Sequence, residues 1–175
     1  MEKSYDWLKK FNKSVTLATE AVIIVLMAIM AVVTIAQVFM RYVMHSPIRW
    51  SEELARYLMV WVAFFGASLG IKAGTHIGLE VFLKYFSPKV QQIISLIIKL
   101  LLIFFLIVVL KEGIALSCAL AFQRSPAMRI SMFWPYFSVP VGALLMIIQL
   151  VSLIPDDLES LSLAHSEKEA DKGWS

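Results

Sequence analysis

Long apolar runs separated by short polar stretches are the dominant pattern of this sequence. The runs cover roughly residues 17–40, 54–71, 90–122 and 132–154. Each approaches or exceeds the roughly 20 residues that a helix needs to cross a hydrocarbon core of about 30 Å. Helix is the expected conformation, because lipid forces every backbone polar group to pair within its own segment. The pattern therefore predicts an all-α integral membrane protein with four transmembrane helices.

The turn between the first two runs is densely charged, and it contains our candidates for holding helices against each other or against a partner: Arg41, Arg49, Trp50, Glu52, Glu53 and Arg56. Ser51 is a good N-cap, and both acids stand in the first helical turn, where the macrodipole favours negative charge. Glu52 is also spaced to pair with Arg56. The start of a helix explains both acids, and so does pairing with Arg41, Arg49 or a partner chain; both explanations stay open.

Small residues recur on one face of the second helix. Among them, Gly66 and Gly70 form a GxxxG pair, which lets another helix approach closely. Packing of this kind, rather than hydrophobicity, drives the association of helices in lipid. The motif is compatible with a contact within the chain or between chains, and we expect it within the chain.

The connection after the second helix is basic and contains a segment too short to span the membrane. Residues 77–86 place Glu80 and Lys84 on one side and apolar residues around the rest, which predicts an interfacial amphipathic helix. His76 has no second ligand at metal-binding spacing, so a hydrogen bond within the loop is its expected role. By the positive-inside rule, this basic connection and the basic N-terminus predict that both termini are cytoplasmic.

The third helix, predicted from about Pro88 to Phe122, carries charges within its apolar run. Lys99 interrupts the run once, and Lys111 with Glu112 interrupts it again. An ionisable group at membrane depth is a candidate functional residue. Alternatively, a long tilted helix places the two sites near opposite interfaces, where lysine side chains reach the headgroups. The eleven residues between the two lysines are too few to span alone, so both interpretations stay open.

The fourth helix begins with an aromatic belt and contains a predicted bend. The belt comprises Phe133, Trp134, Tyr136 and Phe137. Pro140 beside Gly142 predicts the bend. After Pro155 the chain is polar and acidic. We therefore expect one four-helix transmembrane domain over residues 1–154 and a disordered tail over residues 155–175.

Composition narrows the function more than the fold. Hydrophobic residues make up 59% of the 175, the mean hydropathy is +0.77, and the net charge of +3 is too small to indicate nucleic-acid binding. Cys118 is the only cysteine, so no intrachain disulfide is possible. The sequence contains no catalytic nucleophile–base pair, no metal-ligand cluster and no phosphate-binding loop. This combination favours a scaffold or accessory subunit over an enzyme or a complete transporter.

Several of these positions together resemble the small membrane subunit of tripartite ATP-independent periplasmic (TRAP) transporters, the DctQ-like family. The resemblance covers about residues 14–154, and the combination is specific although each piece alone is not. The residues that carry it are Gln37, Arg41, Tyr42, the stretch from Trp50 to Tyr57, Trp61, Gly66, His76, Ile77, the stretch from Ser125 to Met128, and Pro140 to Gly142.

The resemblance implies a subunit of an importer in the bacterial inner membrane. In this family a periplasmic binding protein captures an organic acid, and a large membrane subunit carries the substrate and sodium sites. The small subunit binds the large one as a fixed scaffold. The implied partners are the large subunit, the binding protein and the lipid bilayer, with no cofactor. C4-dicarboxylates and sialic acid are implied substrates, and nothing in these residues chooses between them.

Two other functions are compatible with the sequence. A self-sufficient small oligomeric transporter or channel would use Lys99, Lys111 and Glu112 along its pathway, although no internal repeat is evident. A membrane anchor subunit of an enzyme, for example a haem-bearing anchor, would need histidines inside the spans. His45 and His76 lie in predicted loops instead.

Overall fold

The described part of the chain is a bundle of helices. The computed structural model describes residues 2–72 and 88–154. Its helices are α1 (Glu2–Tyr42), α2 (Ser51–Lys72), α3 (Pro88–Ala119), α4 (Phe133–Tyr136) and α5 (138–154). The predicted interfacial helix over residues 77–86, His76, and the predicted tail over residues 155–175 lie outside the described residues.

Four of the helical segments are long and apolar enough to cross a membrane, which confirms the predicted fold class. They are Lys10–Tyr42, Ser51–Ile71, Ile93–Ala119 and Phe133–Ile154, the last formed by α4 and α5 together. The first is 33 residues long, or about 50 Å at ~1.5 Å per residue, so it must tilt in the bilayer or protrude from it. Consecutive spans run antiparallel. We call the end with residues 43–50 and 120–132 the loop end, and the end with Asn12 and Ser152 the terminal end.

The connection from α1 to α2 is a tight C-terminal cap followed by one turn. His45 adopts a left-handed conformation with φ of 53°, as residues just after a helix often do, and the amide of Ser46 donates to the carbonyl of Met40 at 3.0 Å. The Ser51 hydroxyl donates to the carbonyl of Ile48 at 2.8 Å. The predicted start of α2 at Ser51 is confirmed. The amide of Leu54 donates to the carbonyl of Trp50 at 3.0 Å, so Trp50 rather than Ser51 occupies the N-cap position.

The connection from α3 to α4 folds back on itself as a small hairpin. Arg124 and Ser131 form an isolated antiparallel bridge, and the amide of Met132 donates to the carbonyl of Gln123 at 2.9 Å. Between them, the amide of Arg129 donates to the carbonyl of Ser125 at 3.1 Å, which closes a single helical turn. This turn supplies the backbone donors of the site described below.

The helix of the last span is interrupted three residues before Pro140, the residue at which the sequence predicts a bend. Pro140 has no amide, so the carbonyl of Tyr136 loses its partner one turn earlier. Accordingly α4 ends at Tyr136 and α5 starts at residue 138, while the amide of Val141 still reaches the carbonyl of Phe137 at 3.3 Å. The proline thus divides the last span into a short entrance helix and a longer one.

Close helix contacts are made at two glycines outside the predicted pair. A Cβ placed on Gly142 would lie 2.5 Å from the Cβ of Phe64, and one on Gly113 would lie 3.1 Å from the Cδ of Pro140. Around Gly66 no described atom falls within 4 Å of that position. The expectation that Gly66 makes a close contact within the chain is therefore wrong for the described residues. Gly70 is half-buried.

The apolar core is small and lies between α3 and α5. Leu106, Ala143 and Leu150 form its centre, whereas most large apolar side chains of α1 and α3 are exposed. None of the most apolar stretch of α1 is buried within the chain. Lipid or another membrane protein must therefore cover most of this bundle, since exposed apolar surface of this extent is not stable in water.

Candidate functional site

The loop end of the bundle is organised around the carboxylate of Glu53. This residue is only 6% exposed. Its Oε2 accepts hydrogen bonds from the backbone amides of Ala127 at 2.8 Å and Met128 at 3.0 Å. Its Oε1 accepts a hydrogen bond from the hydroxyl of Tyr57, one turn further along α2. A buried charge is tolerated when it is hydrogen-bonded in this way, so one side chain ties the start of α2 to the hairpin between α3 and α4.

The two amides are available because of the local sequence of the hairpin. The turn from Ser125 to Arg129 has the hydrogen bonding of one helical turn, and the first amides of any such turn have no partner within it. Pro126 has no amide to offer. Ala127 and Met128 therefore point free donors outward, as helix N-termini do towards anions, and Glu53 fills that position.

Glu52, the adjacent acid, faces α1 instead. It forms an ion pair with Arg41, and its Oε1 also accepts a hydrogen bond from the amide of Gln37 at 2.9 Å. About half of the side-chain surface of both charged residues stays exposed. The i,i+4 pair with Arg56 does not form in the described chain, because Arg41 at the end of α1 has taken the carboxylate. The ion pair joins α1 to α2 at the loop end.

A cavity of about 610 Å³ opens beside this cluster, between the start of α2 and the entrance of the last span. One wall carries Arg49 and Arg56, and the deeper wall is apolar, with Val60, Pro135 and Val139. Trp50, which is 44% exposed, does not line it. The structure thus brings Arg49, Arg56 and both acids to one cavity, while Arg41, at the end of α1, is not among the residues that line it.

A second polar cluster, at the terminal end, was not anticipated from the sequence. The Asn12 amide donates to the hydroxyl of Ser152 at 2.6 Å, and the Gln149 amide donates to the hydroxyl of Thr16 at 3.3 Å. Gln149 is fully buried. These contacts join α1 to α5. The signal was the placement of single polar residues in apolar runs, but such residues have no partner that sequence spacing can name.

The three charges within the apolar run of α3 have different environments. Lys99 is buried, 8% exposed, on the helix face that seven residues later carries the core residue Leu106. Lys111 and Glu112 are exposed and lie 3.6 Å apart. Lys99 therefore packs among helices, whereas Lys111 and Glu112 lie on the surface of the bundle; the depth of all three in the bilayer stays a prediction.

The chemistry of these clusters is that of holding parts together. Among the described residues no group of three or more His, Cys, Asp and Glu side chains is arranged to hold a metal ion. Glu53 accepts hydrogen bonds from three donors, and Glu52 is held by Arg41 and Gln37. Sequence reasoning singled out both acids but missed Tyr57, Ala127 and Met128 as the partners of Glu53. The amides of Ala127 and Met128 are 74 and 75 residues away in the sequence, so local spacing cannot identify them as partners.

Comparison with known proteins agrees with this arrangement. Residues 30–159 match the model of the family described as tripartite ATP-independent periplasmic transporters, DctQ component. The chain is 30% identical over 140 residues to the sialic acid TRAP transporter small permease protein SiaQ of Vibrio cholerae, which covers 80% of this chain and 81% of that protein.

Two further relatives extend the comparison. The C4-dicarboxylate TRAP transporter small permease protein DctQ of Rhodobacter capsulatus is 30% identical over 99 residues, covering 55% of this chain and 44% of that protein. The sialic acid TRAP transporter permease protein SiaT of Haemophilus influenzae is 28% identical over 119 residues, covering 68% of this chain but only 19% of that much longer protein. With its four apolar spans, the chain belongs to the DctQ family, the small multi-pass inner-membrane subunits of TRAP transporters.

Proposed function

We propose that this subunit is a fixed scaffold that binds the large membrane subunit of its transporter and supports sodium-coupled uptake of an organic acid. A periplasmic binding protein delivers that acid, and both termini of the scaffold are cytoplasmic. Sialic acid and C4-dicarboxylates are the candidate substrates, because these are the classes printed in the names of the relatives. The match to a short part of the long permease SiaT supports a function beside a larger membrane unit.

The observation that carries the proposal is the exposed ion pair of Lys111 and Glu112. The pair directly precedes Gly113, which packs against Pro140. Pro140 lies seven residues after Phe133, the first residue of the last span, so the pair is at the level of a point about 10 Å into that span. A charged pair at that depth is costly when it faces lipid. A partner helix that supplies polar groups would remove this cost, so the pair marks the face of α3 where the large subunit would bind.

The scaffold function also agrees with where the charged residues are used. Glu52 with Arg41 joins α1 to α2, and Glu53 joins α2 to the hairpin. These contacts fix the helices relative to one another at the loop end. A rigid frame of this kind suits a stationary subunit, because the large subunit can then move against a surface that keeps its position.

The proposal is tested by co-purification and uptake. The chain is co-expressed with the large subunit, and both are reconstituted with the binding protein in liposomes under an inward sodium gradient. Uptake should require both membrane subunits and should collapse when the gradient is removed. Full-rate uptake by the large subunit without this chain would refute the scaffold function, and flux from this chain alone would support a self-sufficient transporter instead.

The face of α3 is tested by the double variant Lys111→Met and Glu112→Gln, which removes both charges and keeps the side-chain volumes. The yield of co-purified large subunit should fall several-fold, because the partner loses its polar contacts. Arg129→Gln, at the exposed hairpin, is the control for the loss of a surface charge. An unchanged yield in the double variant would place the large subunit on another face.

A further inference from the structure

The geometry points to a binding site for an anionic phospholipid in the cavity at the loop end, with the lipid phosphate between Arg49 and Arg56 and the start of an acyl chain against Val60, Pro135 and Val139. This site does not depend on the proposed scaffold function. It follows from the distribution of charge around the cavity, from the shape of the cavity and from its depth.

The charge distribution leaves two arginines available. All four charged residues that line the cavity belong to the turn and the start of α2. Glu52 is held by Arg41, outside the cavity lining, and Glu53 is held by Tyr57 and the hairpin amides. In the described chain neither Arg49 nor Arg56 forms an ion pair or a hydrogen bond, and both are exposed. Guanidinium groups bind phosphate oxygens with two parallel hydrogen bonds.

The shape of the cavity favours a lipid over a soluble anion. Its lining is apolar below the arginines, where Val60, Met132, Pro135 and Val139 contribute. Val60 lies nine residues after Ser51, the first residue of α2, so the cavity extends about 13 Å along the helix. A soluble anion would leave that lower part filled with water against apolar side chains, whereas an acyl chain would cover it.

The depth of the cavity matches the position of a headgroup. Tyr136 lines the cavity, and Trp134, 61% exposed, stands beside it at the entrance of the last span. Aromatic side chains of this kind lie at the level of the headgroups. The arginines are near the start of α2, at the same end of the bundle, so a phosphate there would be at its ordinary height in the leaflet.

The test uses the full chain in nanodiscs of phosphatidylcholine that contain a minority of phosphatidylglycerol, followed by native mass spectrometry of the released protein. Wild type should retain phosphatidylglycerol in preference to phosphatidylcholine. Arg49→Gln and Arg56→Gln should each lower the retained fraction about fivefold, because each charge near an anionic membrane surface contributes about that much to binding. Arg129→Gln, at the same end but outside the cavity lining, should retain as much phosphatidylglycerol as wild type.

Three outcomes would overturn the site. Equal retention of the two lipids would show that the site does not select the anionic headgroup. Wild-type retention in a variant with both Arg49→Gln and Arg56→Gln would place the lipid elsewhere. Displacement of the lipid by millimolar inorganic phosphate would show that the cavity binds a free anion.

Because both arginine side chains are exposed, the variants should keep the wild-type melting temperature in detergent. A Val60→Trp variant, which fills the lower cavity and leaves both arginines in place, should also lose the lipid.

Discussion

The carboxylate of Glu53 accepts a hydrogen bond from the backbone amide of Met128 at 3.0 Å, across 75 residues of sequence. Together with Ala127 and Tyr57, this contact makes one acidic side chain the link between α2 and the hairpin that leads into the last span. The neighbouring Glu52 makes no such link and holds α1 instead. Two adjacent acids thus stabilise two different parts of the same end of the bundle.

Replacing Glu53 by alanine should destabilise the fold strongly. The change leaves two backbone amides and one hydroxyl, all partly buried, without their acceptor, and unpaired buried polar groups cost about 1–3 kcal/mol each. We expect a loss of roughly 3 kcal/mol or more in the free energy of unfolding, measured by thermal or denaturant unfolding in detergent micelles. Protease cleavage at the hairpin should rise in parallel.

Glu52→Ala is the matched control for that change. Its ion pair with Arg41 is about half exposed, and exposed pairs contribute ~1 kcal/mol or less. The same measurement should therefore show a much smaller loss. Equal losses in the two variants would mean that the hairpin does not depend on the buried carboxylate.

The pair of Arg41 and Glu52 should show weak coupling in a double-mutant cycle. Each residue is changed to alanine singly and together, and the coupling energy should be about 0.2–1 kcal/mol. It should fall further as salt is raised, because exposed charges are screened. A coupling above about 2 kcal/mol, independent of salt, would show that the pair is desolvated in the protein as measured.

Alanine should be tolerated at Gly66 and rejected at Gly142. At Gly142 the added Cβ would meet the Phe64 side chain at 2.5 Å, and overpacking of this kind typically costs about 1–3 kcal/mol. At Gly66 no described atom lies within 4 Å of the new Cβ, and the substitution improves helix propensity by about 0.5–1 kcal/mol. Melting temperatures of the two variants in detergent should move in opposite directions, and a common shift would contradict the packing described for Gly142.

Gln149→Met should leave the stability of the bundle unchanged or raise it. The amide of Gln149 is fully buried, its hydrogen bond to Thr16 is long at 3.3 Å, and its Oε1 has no partner among the described residues. Methionine has a similar volume and no buried polar atom to satisfy.

Ser152→Ala gives the contrast, because it removes the acceptor of the 2.6 Å bond from Asn12 and should cost ~1 kcal/mol. The free energy of unfolding of both variants and of wild type is measured by titration with sodium dodecyl sulfate. A large loss in Gln149→Met would show that its amide oxygen has a partner that this prediction leaves out.

The helices and their order could be predicted from the sequence, because long apolar runs have one stable conformation in lipid. The interruption of the last span was predictable for a related reason, since Pro140 removes a backbone donor wherever it lies. The acids at the start of α2 were also recognisable, because their preference for a helix N-terminus is a local effect. The predicted cap at Ser51 is displaced by one residue, because the carbonyl of Trp50 accepts the first helical bond, from the amide of Leu54.

The sequence by itself determined that this chain crosses the membrane four times, where its charged turn lies, and which family it resembles. Those properties depend on hydrophobicity and on local spacing. Only the tertiary structure decided that Glu53 is buried and Glu52 is not, that Gly142 rather than Gly66 is tightly packed, and that Lys99 faces the core while Lys111 is exposed. Successive helical residues point about 100° apart, so the neighbouring elements, brought together from distant parts of the chain, decide which side chain each of them meets.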